Sequence, residues 1–524
     1  MAAPFPAAFA RAARSSGRRS LHCHAARVAA AATAAPPALA ATCLGTATSS
    51  SPGPLYGVAQ SRRHYAGCAC SGAKRPTTAY IALGSNLGDR VAEIERACNE
   101  MDKRGIKVKR TSSLWETEPM YVTDQDRFLN GACEIETDLE PMALLDQLQA
   151  IEKDMGRRKI IDKGPRNIDL DILLYGDQVV SNERLNVPHI GIPEREFVLR
   201  PLAELAPSKS LDPSKPWRLV QDYLNELPLG EPLSSLTELS ATTKPLTPLT
   251  PTRKTRVMAI LNLTPDSFSD GGKHASPDLS STILDMVRNG AGIIDIGGQS
   301  TAPGRPEVTA EEEASRVLPA VELIRSIPQC SDVAISVDTY RASVAQQAVS
   351  QGAHIINDVS AGTLDPDMLP VVAKIGATIC LMHMRGNPRT MNDLTSYPDG
   401  LLPTVAAELS ERVKAAEAAG IRRWRIMLDP GLGFAKTKEQ NLELLSRLGD
   451  LRSWPGLEGF AWLVGSSRKS FIGKVTGEDN PEARTWGTAA TVTAAIQGGA
   501  DVIRVHDVKE MSTVAAMSDA IWRR

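Results

Sequence analysis

Asp169 and Asp171 stand two residues apart in the string GPRNIDLDILLYG, with Ile168, Leu170 and Ile172 in the alternate places. On a strand, residues i and i+2 share a face, so both carboxylates point one way and the apolar set faces a core. Such a pair is either two solvated strand residues or a cation site. Arg157, Arg158, Arg166 and Arg195 lie close in sequence and favour the second reading, a Mg2+-nucleotide site. No GxxxxGK[ST] occurs, so the site is not a P-loop.

A second set of polar residues lies beyond residue 255. Asn262, Asp338, Asn357, His383, Asp429, Arg504 and His506 each fall toward the C-terminal end of a short run rich in Val and Ile. One alone would pass as a helix cap or a satisfied strand end; seven converging residues mark a mouth. Arg468 and Lys469 in GSSRKS, with Arg504 and His506, form a cationic group suited to a polyanion such as pyrophosphate. Asp338, Asn357 and Asp429 supply acceptors and an amide able to grip the donor edge of a nitrogen-rich heterocycle. One substrate with a heterocycle and a phosphate tail satisfies both sets.

The elements that must position these residues follow from the patterning. Eight apolar runs, VMAILNL, GIIDIGG, AISVDTY, HIINDVS, TICLMHM, RIMLDPG, AWLVGSS and VIRVHDV, alternate with helical patterns, one opened by a Thr309, Glu312 capping box. This is the pattern of a (β/α)8 TIM barrel, whose sites form at the C-terminal ends of the strands. A doubly wound open sheet is the alternative. Upstream, a strand at AYIALGSNLG, a helix over 90–104, strands near Val108 and over 128–136, a helix opening at Pro141 and the aspartate strand mix without regular alternation. That predicts an α+β ferredoxin-like sandwich. The expected division is a leader over 1–74, an α+β domain over 76–230, a Pro/Thr-rich linker over 231–254 and a barrel over 255–524.

Charge and composition bound the partners. The first 75 residues hold nine basic and no acidic side chains, and the first acid is Asp89, so the remainder carries 50 basic against 61 acidic residues. An acidic body is poorly suited to nucleic acid. No run reaches the ~18 apolar residues of a membrane span. The eight cysteines show neither CxxC pairs nor a disulfide framework and read as small buried apolar groups in a reducing compartment. The acid-free, Arg-bearing start has the composition of a mitochondrial transit peptide; an untargeted extension on a cytoplasmic protein is the alternative.

The motifs ILNLTPDSFSDGG, SVDTY, GAHIINDVS, CLMHMRGNP, LDPGLGFAK, GSSRKSFIG and IRVHDVKE, spanning residues 255–524, resemble dihydropteroate synthase. The resemblance implies condensation of a dihydropterin pyrophosphate with p-aminobenzoate. It assigns the pterin ring to Asp338, Asn357, Asp429 and Lys469, with Met382 and Phe434 as apolar wall, and makes Asp338, Asp429 and Lys469 catalytic. Pyrophosphate and one Mg2+ fall to Asn262, Arg504 and His506, with Asn262 as metal ligand. Phe268, Thr301, Pro303, Phe434, Lys469 and Ser470 form the p-aminobenzoate pocket. Where that family commonly reads Ser-Thr-Arg-Pro, this chain has Ala302 in the third place.

ALGSNLGDR, GPRNIDLDILLYG and VPHIGIPEREFVLRPLAEL, within residues 78–227, resemble 6-hydroxymethyl-7,8-dihydropterin pyrophosphokinase. The resemblance implies transfer of pyrophosphate from ATP to a pterin hydroxymethyl group. Asp169 and Asp171 would hold two Mg2+, Arg157, Arg166, His189 and Arg195 would meet the ATP phosphates, and Glu152 would sit beside the nucleotide. Phe128 and Phe197 would sandwich the pterin and Asn130 would hydrogen-bond it. This chain departs at Asp162 and Lys163, where an Arg and an aromatic are common, and at Glu118 after Thr117.

The product of the first implied reaction is the substrate of the second, so two resemblances drawn from different residues explain one another. Two other readings compete. A binding protein with dead sites would have lost Asp169, Asp171, Lys469 or Arg504, and a barrel aldolase joined to an RNA-binding domain conflicts with the acidic charge. The resemblance also implies a homo-oligomer paired through the barrel.

Overall fold

A computed structural model of the chain describes residues 75–120, 123–157, 164–228, 230, 233–263, 278–299 and 306–524. The N-terminal domain is built on β1 (Thr77–Ser85), α1 (Arg90–Lys103), β2 (Lys107–Thr111), β3 (Leu114–Thr117), β4 (Phe128–Thr137), α2 (Pro141–Asp154) and β5 (Asp169–Tyr175), followed by the short hairpin of β6 (Val180–Ser181) and β7 (Asn186–Val187). Asp89 caps α1 by accepting from the Ala92 amide at 3.1 Å, and Gly105, at φ +77°, follows its end. The antiparallel sheet runs β5-β1-β4-β3, and β2 pairs with β4. With β2 and β3 together forming one edge beside β4, this is the ferredoxin-like βαββαβ arrangement expected from the sequence. Ile94, Met101, Leu144 and Leu148 of the two helices pack on Ile81, Leu83, Leu129 and Ile172. The other face of the sheet is covered by α3 (Glu196–Leu205) and α4 (Val220–Glu226), with Leu199 and Leu202 against Leu173 and Leu174.

The eight apolar runs form β9 (Arg256–Asn262), β10 (Ile293–Gly297), β11 (Ala334–Asp338), β12 (Ile355–Asp358), β13 (Thr378–Met382), β14 (Ile426–Asp429), β15 (Ala461–Val464) and β16 (Val502–Val505). They close as a parallel barrel, each pairing with the next and β16 with β9, which excludes the open sheet. Thr309 accepts from the Glu312 amide at 3.2 Å, while the Glu312 carboxylate turns to Arg316 rather than back to the cap, so only half of the capping box forms.

The stretch over 231–254 does more than join the domains. Ser234–Leu236 forms β8 and pairs with β3 as the outer strand of the N-terminal sheet. Leu239 and Leu246 then pack among Met258, Ile293, Ala334, Ile355 and Val502, the innermost side chains at the N-terminal end of the barrel. Its Pro and Thr content conceals two apolar anchors that plug this end.

The two domains meet at the same end. Trp424, just before β14, is buried in the core of the N-terminal domain and donates its indole N–H to Glu95 at 2.9 Å. Arg425 grips the same carboxylate at 2.7 and 2.9 Å. Ser235 donates to the Gly459 carbonyl at 2.6 Å, and Thr378 to the Glu238 carbonyl at 2.7 Å. Among the described residues no helix is long and apolar enough to cross a membrane, and Cys98, Cys133, Cys330 and Cys380 are buried free thiols.

Candidate functional site

The first site is a cleft in the N-terminal domain. Antiparallel pairing sets Asp171 opposite Ala82 and Asp169 opposite Gly84, so the two carboxylates project together from the sheet. Phe128, Asn130, Arg166, His189, Arg195 and Phe197 line the same cleft. Asp169 is held by Arg157 at 2.8 Å and Arg166 at 3.1 Å. The Arg166 guanidinium also lies 5.1 Å over the Phe128 ring. The cleft walls partly desolvate Asp171, and together with the neighbouring Asp169 charge they hold its carboxyl above the usual range although it opens to solvent.

Arg157 and Glu152 stand behind this lining rather than in it. Glu152 accepts from the Leu170 amide at 2.8 Å and pairs with Arg157, so it braces the aspartate strand. Burial pushes its carboxyl up to about 7 against the opposing pull of Arg157. Sequence reasoning missed two supports. Asn86 accepts from the Arg166 amide at 2.8 Å and donates to Gln125 at 3.0 Å, tying the arginine segment to the cleft rim. Thr117 accepts from the Asn130 amide group at 2.7 Å and orients it. Asn86 sits inside ALGSNLGDR, and the tight loop around it was the available signal. The departures at Asp162 and Lys163, and Arg158, lie outside the described residues.

The second site is the C-terminal mouth of the barrel. Strand register makes Asn262 and Asp338 both partners of Gly297, sets Asp338 beside Asn357, and sets Met382 beside Asp429. At its center Arg504 donates through Nε to Asp295 at 2.6 Å and through its terminal nitrogen to Asp338 at 2.7 Å. The same Asp295 oxygen accepts from Asn357 at 3.1 Å. Asp295 is fully buried, and nothing at the sequence level singled it out except an acid in the middle of an apolar strand. Burial pushes Asp338 up to about 7 in spite of Arg504, and also raises Asp429 against the pull of Lys469.

Lys469 spans this pocket. It donates to the Leu432 carbonyl and stands 4.5 Å over the Phe434 ring, and burial lowers it to about 8 despite Asp429. Gly433, at φ +79°, leaves the space, since a Cβ there would come within 3.0 Å of the lysine stem. Ser470 opens the next helix (Ser470–Thr476). Phe268, Thr301 and Pro303, with Ala302, lie outside the described residues.

The expected group of four cations needs correction. His506 hydrogen-bonds Ser467 at 3.0 Å, and burial and then the nearby Arg468 push it down to about 4, so it is a neutral ring at pH 7. Arg468 is neutralised by Asp507 at 2.5 Å. Lys469 and Arg504 remain as the cations of the pocket, Arg504 already paired with Asp295 and Asp338. His383 turns away, toward Glu408 and Lys436. Among the described residues no cluster of three or more His, Cys, Asp or Glu side chains is arranged to hold a metal ion.

The comparisons with known proteins agree with both halves. Residues 258–506 match the family described as pterin binding enzyme, and residues 80–207 the family of 7,8-dihydro-6-hydroxymethylpterin-pyrophosphokinase. A mitochondrial folate synthesis bifunctional protein of Pisum sativum is 44% identical over 85% of this chain and 89% of its own length. A folic acid synthesis protein of Pneumocystis carinii is 46% identical over 85% of this chain and 60% of its own length. The chain thus spans about 60% of the length of such fungal relatives. A solved Plasmodium falciparum HPPK-DHPS with pteroate has the same fold, at a TM-score of 0.72 and 22% identity, over 85% of this chain and 98% of that one. With a kinase-type cleft and a pterin-type barrel mouth on one polypeptide, the chain belongs to the family of bifunctional folate synthesis proteins.

Proposed function

We infer that this protein carries out two consecutive steps of folate synthesis. The observation that carries the reading is the convergence of Asp338, Asn357, Asp429, Lys469 and Arg504 at one barrel mouth, on a chain that also holds the Asp169 and Asp171 cleft.

In the first step the hydroxymethyl oxygen of the dihydropterin attacks the β-phosphorus of ATP. An O–P bond forms, the bridge to the α-phosphorus breaks, AMP departs and the hydroxyl proton passes to solvent. Phe128 and Phe197 hold the ring, Asn130 reads its edge, and Arg166, His189 and Arg195 meet the phosphates. Arg157, braced by Glu152, sets the charge behind Asp169. Asp169 and Asp171 offer hard oxygen donors on one face of an open cleft, which fits Mg2+. When bound, that ion would neutralise charge on the phosphate oxygens.

In the second step the bond from the pterin methylene to the diphosphate breaks, the amine of p-aminobenzoate forms the C–N bond, and its proton leaves. Arg504, Asn262 and the neutral His506 stabilise the leaving group, and Asn262 presents an exposed amide that fits a cation beside it. Asp338 and Asp429 face the positive charge that develops at the ring, and Asn357 and Met382 seat it. Lys469, Phe434 and Ser470, with Phe268, Thr301 and Pro303 from the resemblance, wall the aminobenzoate. The composition of residues 1–74, together with plant relatives named as mitochondrial, supports delivery to mitochondria. Trp486, Met517 and Ile521, exposed on the last two helices, support pairing of barrels in a homo-oligomer.

The test is a coupled assay on the full chain with ATP, Mg2+, hydroxymethyl-dihydropterin and p-aminobenzoate. Asp169→Asn with Asp171→Asn should cut pyrophosphoryl transfer by ~10²-fold or more, and leave condensation of supplied pterin diphosphate within about twofold. Loss of both activities together in a folded variant would show that the division into two sites is wrong.

A further inference from the structure

His383 belongs to the strand-end polar set, yet neither ligand group uses it. Its ring lies with Nε2 2.7 Å from the Glu408 carboxylate and Nδ1 2.9 Å from Lys436 Nζ. The buried Lys436 ammonium also donates to the carbonyls of Gly431 and Phe434, each at 3.0 Å. Burial lowers Lys436 to about 7 against the pull of Asp429; in its ammonium form three donors meet three acceptors, and His383 then accepts at Nδ1 and donates from Nε2 to Glu408. Glu408, on the helix over Leu401–Ala418, is gripped in turn by Arg385 at 3.0 Å. Burial, and then the Lys436 charge, lowers His383 to about 4, in keeping with a neutral ring.

The turn held by this network is the one that shapes the ligand pocket. Gly431, at φ +69°, passes so close to the His383 backbone that a Cβ would lie 1.9 Å from its carbonyl oxygen. Its amide donates to Asp429 at 2.7 Å, the Leu432 carbonyl receives Lys469, and the Phe434 ring lies beneath the same ammonium. Tyr397 donates to the Ala435 carbonyl at 3.0 Å, and the Asn441 side chain accepts from the Gly433 amide at 2.6 Å. Lys436 joins two carbonyls of the turn to His383 at the end of β13.

We propose that Lys436 is a positioning residue of the barrel site: by holding the 431–434 turn against His383 it sets where the Lys469 ammonium stands relative to Asp429. The inference rests on the reading of the barrel as a condensing site for a pterin diphosphate, and adds a residue that touches neither substrate. A buried lysine with a purely structural role would lower stability without changing how substrate is held.

The experiment uses the full chain with Lys436→Met, which keeps the stem and removes the three donors. The KM for the pterin diphosphate should rise about 10-fold or more while kcat changes far less and the kinase constants stay within about twofold. His383→Asn retains an acceptor for Lys436 but cuts the link to Glu408, and should raise the same KM by a smaller factor, roughly threefold. It also serves where Lys436→Met does not fold. Condensation constants equal to wild type in the folded variants, even with a lowered melting midpoint, would overturn the proposal. If the wild-type chain itself did not condense, the functional reading would fall and this inference with it; if wild type condenses and the variants match it, only the inference falls.

Discussion

Asp295 concentrates the chemistry of the barrel mouth at the scale of one residue. It is fully buried, yet a single oxygen accepts from both Arg504 and Asn357 while the other has no hydrogen-bond partner. Arg504 thereby lies between two carboxylates, Asp295 behind and Asp338 in front. Removing Asp295 strips one of two carboxylate partners from a part-buried guanidinium that keeps only Asp338, which destabilises the barrel mouth. Asp295→Ala should therefore lower the barrel's denaturation midpoint and reduce condensation kcat/KM by about 10-fold to 100-fold, with pyrophosphoryl transfer unchanged. Asp295→Asn, which keeps an acceptor oxygen, should lose less of both. Parallel kinetics and denaturant titration of the two variants check this, and equal losses would mean that the charge, rather than the hydrogen bonds, sets the effect.

Among the elements, the strand and turn over 234–246 carry a load that their composition conceals. They add β8 to one sheet and insert Leu239 and Leu246 into the lower barrel. Between β8 and Leu239 lies Glu238, whose carboxyl burial pushes up to about 7 in spite of Arg425. An unfolded glutamate releases its proton near 4.3, so the native state holds a proton that the unfolded state has lost between about pH 4.5 and 7. The native state is thereby penalised as pH rises through that window. Glu238→Gln should raise the melting midpoint at pH 8, by a few degrees, and make little difference at pH 4.5. Thermal scans at the two pH values decide it; a gain that is the same at both would remove ionisation as the cause.

In the molecule as a whole, the N-terminal domain holds the barrel from below. Trp424 contacts it, and Thr378 and Gly459 contact the connecting stretch at Glu238 and Ser235, near the N-terminal ends of the strands, while Asp338, Asp429 and Arg504 project from the opposite ends. The barrel core fills the space between. If the cleft makes a pterin diphosphate as proposed, the filled barrel core offers it no path among the described residues, and the product is expected to reach the barrel mouth through solvent. In a coupled assay started from labelled pterin alcohol, added unlabelled pterin diphosphate should dilute label in the dihydropteroate in proportion to the mixed pool. Label retained at full specific activity would demand a route that the fold does not provide, such as transfer between paired copies.

Residue order alone determined the eight strands, the facing of Asp169 with Asp171 and the strand-end placement of Asp338, Asn357 and Asp429, because period and register are local properties of the chain. The Asp295 partnership with Arg504, the Lys436 and His383 network and the burial of Trp424 in the other domain each join residues far apart in sequence. So does the neutral state of His506, which depends on what packs around the ring. Only the tertiary structure decided these, since desolvation and charge pairing depend on which distant groups the fold brings within a few ångströms.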